Sequence, residues 1–98
     1  SEERHRHGGA RQAVDLDQSQ LAQRVRSAAS EIVPAEAIHS VHVWQDGTAW
    51  SASVHYSLPG SMSLTKAHTL SRRLEDRMRE RIAGLQRVVI HTEPREEG

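Results

Sequence analysis

Cysteine and phenylalanine are absent from this chain of 98 residues, and its only aromatic residues are Trp44, Trp50 and Tyr56. The lack of cysteine excludes a disulfide framework and a thiolate metal site, so any metal must be held by nitrogen and oxygen ligands. It also fits a reducing compartment. No apolar run approaches the roughly 20 residues of a membrane-spanning helix, and no signal-peptide pattern is present.

The chain also carries no net charge, because thirteen basic residues balance thirteen acidic ones. A nucleic acid or an anionic membrane surface would demand a basic face, so neither is expected as a partner. The apolar fraction is 36%, which is a small supply for the core of one small domain. We therefore expect self-association or a bound metal to contribute to stability.

Composition divides the chain into a tail and one domain. Residues 1–15 are charged and aperiodic, which predicts a disordered tail or linker, and the domain follows over residues 16–98. Asp15 or Asp17 can cap a first helix, because a side-chain oxygen at this position satisfies the first backbone amides. Pro34 cannot continue that helix, which is predicted to end near residue 33.

A β-hairpin is predicted next. Residues 38–45 alternate and are rich in β-branched side chains, and Asp46-Gly47 is a strong signal for a two-residue turn. The return strand runs over residues 49–58, antiparallel to the first, and Pro59-Gly60 ends it.

A second helix and a third strand complete the domain. Ser61 or Ser63 can cap the helix, Gly84 suits its C-terminal end, and residues 88–91 form a short strand. The apolar stripe of the helix comprises Leu64, Ala67, Leu70 or Ser71, Leu74, Met78 and Ile82. The order is thus αββαβ, an α+β domain with a three-stranded sheet and two helices on one face.

Alternation along the strands assigns side chains to the two sheet faces. We assign His55, His91 and Glu93 to the open face. The residues assigned to the helix-covered face are Trp50, Val54, Tyr56, Val88 and Ile90. The faces of the first strand cannot be assigned in this way. Alternation places His39 on the same face as Val41 and Val43, and it places His42 on the same face as Ile38 and Trp44.

Four widely spaced histidines and one carboxylate are the candidate metal ligands: His39, His55, His68, His91 and Glu93. In an antiparallel hairpin the start of the first strand lies beside the end of the second, so the spacing allows one cluster at one end of the sheet. Imidazole and carboxylate suit Zn²⁺, and also Cu²⁺, Ni²⁺, Co²⁺ and Cd²⁺. The simpler alternative is that each histidine is an ordinary surface residue. His5 and His7 belong to the predicted tail, and the role of His42 is left open.

Four separated motifs resemble the cytoplasmic C-terminal domain of cation diffusion facilitator transporters. The segments are Ile38-His39-Ser40-Val41-His42-Val43-Trp44, Val54-His55-Tyr56 with Pro59, Ser63-Leu64-Thr65-Lys66-Ala67-His68, and Val89-Ile90-His91-Thr92-Glu93-Pro94. The resemblance implies a metallochaperone-like (ferredoxin-like) αββαβ fold that forms a V-shaped homodimer. It further implies divalent ions bound at the sheet end and between protomers, through the same four histidines and Glu93.

The chain departs from the family pattern at two places. Ser40 stands where an aspartate is common, and residues 57–60 lack the usual acidic turn. Both departures remove negative charge near the expected site, and they leave the number of bound ions open.

Three functions are considered. The first is a cytosolic, zinc-type regulatory domain whose dimer tightens on metal binding, either within a cation efflux transporter at the cytoplasmic face of a membrane or as a free-standing protein. The second is a metallochaperone that delivers metal to a partner, which is disfavoured because Cu(I) carriers of this kind need a Cys-x-x-Cys pair. The third is an α+β dimerisation module without a metal. An enzyme is not expected, since the chain offers no framed nucleophile and no phosphate-binding loop.

Overall fold

Residues 11–12 and 16–95 are described by a computed structural model, and this part of the chain contains five strands and two α-helices. The elements are β1 (Arg11–Gln12), α1 (Gln18–Ser30), β2 (Ile38–Asp46), β3 (Ala49–Pro59), α2 (Leu64–Arg81), β4 (Ile82–Ala83) and β5 (Leu85–Arg95), with a 3₁₀ helix at Ala35–Ala37. The main sheet has the order β2-β3-β5. The predicted αββαβ order is therefore confirmed. Neither helix is long and apolar enough to cross a bilayer.

A reciprocal cap starts α1. The Asp17 carboxylate accepts from the backbone N–H of Gln20 at 2.8 Å, and the Gln20 side chain accepts from the backbone N–H of Asp17 at 3.0 Å. This capping box satisfies two of the otherwise unpaired amides of the first turn. Of the two predicted caps, Asp17 is the one used, and Asp15 lies outside the described residues. The helix ends at Ser30, four residues before Pro34.

The hairpin of β2 and β3 is antiparallel, as predicted. Asp46 pairs with Ala49, so Gly47 and Thr48 form the two-residue loop. Gly47 has a φ of 68°, a conformation that glycine adopts without the steric cost of a Cβ atom. The turn therefore lies one residue later than Asp46-Gly47, with Asp46 as the last residue of β2.

The third strand of the main sheet, β5, is parallel to β3, and α2 provides the crossover between them. It has eleven residues, whereas the sequence predicted a strand over residues 88–91. Most of its additional residues are exposed and polar, so the strand carries no apolar alternation outside its centre. Pairing with β3, rather than local sequence, determines its length.

Both helices pack on one face of the sheet. Tyr56 is fully buried there, and its hydroxyl lies 2.9 Å from Ser71 Oγ of α2. Burial raises the pKa of the Tyr56 hydroxyl. The residues predicted to face the helices are confirmed as core or core-packed, namely Trp50, Val54, Tyr56, Val88 and Ile90. The sheet thus has one covered and one open face.

Two further features lie outside the predicted pattern. Arg11 and Gln12, within the predicted tail, pair in parallel with Ile82 and Ala83 of β4. The remaining tail residues lie outside the described part. Glu31, just after α1, accepts hydrogen bonds from Arg81 and from Arg77, and these guanidinium groups lower the pKa of its carboxyl. This ion-pair group links the end of α1 to the last turns of α2.

Two leucines of the predicted apolar stripe of α2 have opposite environments. Leu74 is fully buried, whereas Leu64, the first residue of the helix, is 88% exposed. Replacing Leu74 by alanine should lower the free energy of unfolding by about 2–5 kcal/mol, through lost burial and the cavity left behind. Leu64→Ala, the matched control on the same helix, should change it by less than about 0.5 kcal/mol. Urea denaturation followed by circular dichroism measures both, and equal effects would contradict this core assignment.

Candidate metal centre

Three histidines stand in a row across the open face, one on each strand of the main sheet. His55 of β3 pairs with His91 of β5, and Ser40, the neighbour of His39, pairs with His55 on the other side. The imidazole centres of His39 and His55 are 6.0 Å apart, and those of His55 and His91 are 6.1 Å apart. We call these three residues the histidine row. The sheet brings together residues that are 16 and 36 positions apart along the chain.

A β-bulge determines the position of His39. The pairing of β2 with β3 shifts between Ile38 and Ser40, so two residues of β2 oppose His55. This extra residue reverses the side-chain alternation. Ile38 and Val43 are consequently both buried, whereas His39 is exposed beside His55. The bulge resolves the face ambiguity of the first strand.

Glu93 joins the row from β5. It follows His91 by two residues and so shares its face, and its Oε1 lies 3.1 Å from Nε2 of His55. The two side chains are 51% and 39% exposed, which leaves the contact open to solvent and to ions. Two donor atoms on one tetrahedral zinc are separated by about 3.3 Å, so this pair is already at chelating distance.

The fit of the row to a metal ion can be judged from the ring separations. Two imidazoles on one tetrahedral zinc have their centres about 5 Å apart, so each neighbouring pair must close by roughly 1 Å to share an ion. As the side chains stand, no three histidine or carboxylate groups in residues 16–95 are placed to hold one ion. The residue types fit a divalent transition metal, and the imidazole separations are longer than one shared ion requires.

His68 is not part of the row. It is exposed on α2, which packs on the covered face, so the sheet separates it from the other three histidines of the same chain. His42 lies on the open face opposite Ser53, farther along β2. His5 and His7 lie outside the described residues. The structure therefore brings together His39, His55, His91 and Glu93, and a ligand role for His68 stays a prediction.

A groove of about 540 Å³ borders the His39 end of the row. Its lining includes His39, Ser57 and Glu93, together with Glu36 of the 3₁₀ helix and Arg95. The sequence analysis did not single out Glu36. Its only sequence signal is an acidic residue three positions before a candidate ligand, which is too common a pattern to distinguish it.

Comparison with known proteins identifies one family and one recurrent fold. The family model that describes the cytoplasmic domain of cation efflux proteins matches residues 18–95. A search of curated protein sequences finds no significant match.

Among solved structures, a variant of the MamM CTD superimposes with a TM-score of 0.73 at 14% identity, covering 82% of this chain and all of the other. A cadmium form has a TM-score of 0.72 and a copper form 0.73, each at 14% identity with the same coverage. At this level of identity the likeness concerns the fold.

The bulge yields a prediction about single-residue deletions. Removing Ser40 should give β2 regular alternation and leave His39 directly opposite His55, because the supernumerary residue is gone while Ile38, Val41 and Val43 keep their face. Nuclear Overhauser contacts between the imidazole protons of His39 and His55 should persist, with native-like stability. Deleting His39 instead should preserve stability and leave Ser40 as the one residue of β2 opposite His55. A Ser40 deletion that exposes Val41 and Val43 would show that the bulge has another role.

Proposed function

The chain belongs to the family of cation efflux protein cytoplasmic domains, and from this we propose that it is a regulatory domain that binds a divalent transition metal at the histidine row and tightens as a homodimer when the metal is bound. The single observation that carries the proposal is the row itself. Three imidazoles from three strands stand about 6 Å apart, with Glu93 at chelating distance from the central one.

The donor set favours a zinc-type ion. Neutral imidazole nitrogen and carboxylate oxygen are typical zinc ligands at about 2.0–2.2 Å, and a site without thiolate disfavours soft Cu(I). The MamM CTD structures described as cadmium and copper forms share this fold, which supports a divalent ion without selecting one. Zn²⁺ is our first choice, and Cu²⁺, Ni²⁺, Co²⁺ and Cd²⁺ fit the same donors.

Dimer tightening follows from linkage. An ion that contacts both protomers binds a closed dimer better than an open one, and it shifts the population by that difference in affinity. Within one chain, His68 lies on α2, which packs on the covered face of the sheet. We therefore assign it as a ligand to the histidine row of the partner copy. Such an arrangement makes each site incomplete in a monomer.

The proposed role is control of cation efflux on the cytoplasmic side of a membrane. The family is one of transporter domains rather than of enzymes, which agrees with the absence of any nucleophile arrangement from the sequence. In this role the bound ion is a signal, because the free metal concentration sets how much of the dimer is closed.

Isothermal titration calorimetry with zinc tests the site. His55→Ala and His91→Ala should each weaken zinc binding by about tenfold or more, because each removes a proposed direct ligand. Loss of a residue that only hydrogen-bonds to a ligand already lowers metal affinity by about 10- to 100-fold. His42→Ala is the matched control, since it removes an imidazole from the same open face outside the row. Wild-type affinity in the His55 variant would eliminate the assigned site.

Sedimentation and small-angle scattering test the dimer. Zinc should make the homodimer more compact and lower its dissociation constant relative to chelator, and His68→Ala should reduce this response while leaving the fold intact. An identical dimer in zinc and in chelator would favour the metal-free dimerisation module instead.

A further inference from the structure

The groove beside the row contains a carboxylate that the predicted ligand set does not include. Glu36, in the 3₁₀ helix between α1 and β2, lines it together with His39 and Glu93. Glu36 is exposed, and it forms no ion pair with any residue of the range 16–95. Its carboxylate is therefore available to a ligand that enters the groove.

The positions of the other candidate ligands explain why Glu36 matters at the His39 end of the row. His39 and His91 stand on strands that flank β3 on either side, so an ion at the His39 end is remote from His91. Glu93 contacts His55, the central residue, from the β5 side. Glu93 also lines the groove with His39, but its carboxylate is engaged by His55, so Glu36 is the groove carboxylate that has no ion-pair partner in the range 16–95.

The charges in the groove also favour a cation. Two carboxylates, Glu36 and Glu93, face one guanidinium, Arg95, so the groove is negative when His39 is neutral. Glu36 lies in the 3₁₀ turn that the backbone forms after Pro34. The N–H of Ala37 donates to the carbonyl of Pro34 at 2.9 Å, and Ala37 itself is buried.

We infer that Glu36 is a further ligand of the histidine row and supplies a carboxylate oxygen to a divalent cation bound at the His39 end. This inference rests on the proposed metal-binding function and adds a residue from outside the sheet. It also offers the negative charge that Ser40 does not provide on β2. A site built in this way joins the segment after α1 to the strands.

The test compares Glu36→Gln with Asp76→Asn, which removes the same charge from an exposed position on α2, across the sheet from the row. Zinc binding is measured by calorimetry, and the visible absorption of the Co²⁺-loaded protein reports the number and type of ligands. Glu36→Gln should weaken zinc binding by about tenfold or more and change the Co²⁺ spectrum, whereas Asp76→Asn should alter neither. Circular dichroism confirms that each variant is folded.

The outcomes separate this inference from the function on which it rests. Wild-type affinity and spectrum in the Glu36→Gln protein, with binding still lost in His55→Ala, would overturn the role of Glu36 alone. A weaker affinity with an unchanged Co²⁺ spectrum, or the same loss in Asp76→Asn, would reduce Glu36 to a general electrostatic effect and likewise overturn direct ligation. A wild-type protein that binds no zinc would overturn both proposals.

Discussion

Burial of one face of the main sheet against α1 and α2 is the constraint on which the open face depends. Val54 and Tyr56 of β3 are fully buried, as are Leu74 and Met78 of α2. Because side chains alternate along a strand, the burial of Val54 and Tyr56 forces His55 between them to the other side. The core thus fixes the central residue of the histidine row, with no contribution required from a metal. Parallel pairing of β5 with β3 then carries His91 and Glu93 to the same side.

The bulge in β2 interrupts the regular alternation of that strand and places His39 on the same face as His55. A bulge leaves one residue outside the ladder, and its cost must be met by other contacts. Side chains of α1 provide some of these: Gln18 donates to the carbonyl of Val43 at 3.0 Å, and Arg26 donates to the carbonyl of Ile38 at 3.4 Å. Both carbonyls belong to β2, one of the two edge strands of the main sheet. The helix therefore stabilises the strand whose irregularity exposes His39.

The sequence predicted the parts of this structure that local physical chemistry decides. Short patterns predict an aspartate cap at Asp15 or Asp17, the break before Pro34, the hairpin and the covered face of β3. The face of His39 was not predictable, because the bulge depends on how Ile38 and Val43 are both buried against α1. The full length of β5 was not predictable either. Its outer residues are polar, and they are extended because they pair with β3. The sequence did not single out Glu36, because only the folded chain shows that it lines one groove with His39 and Glu93.

The order of the elements along the chain has a consequence for biosynthesis. β2 and β3 leave the ribosome as a local hairpin, but β5 can add to β3 only after the crossover helix has been synthesised, because parallel strands need such a connection. His91 and Glu93 are therefore the last donors to arrive. A metal site built on the row would therefore be complete only after β5 has paired with β3, late in folding.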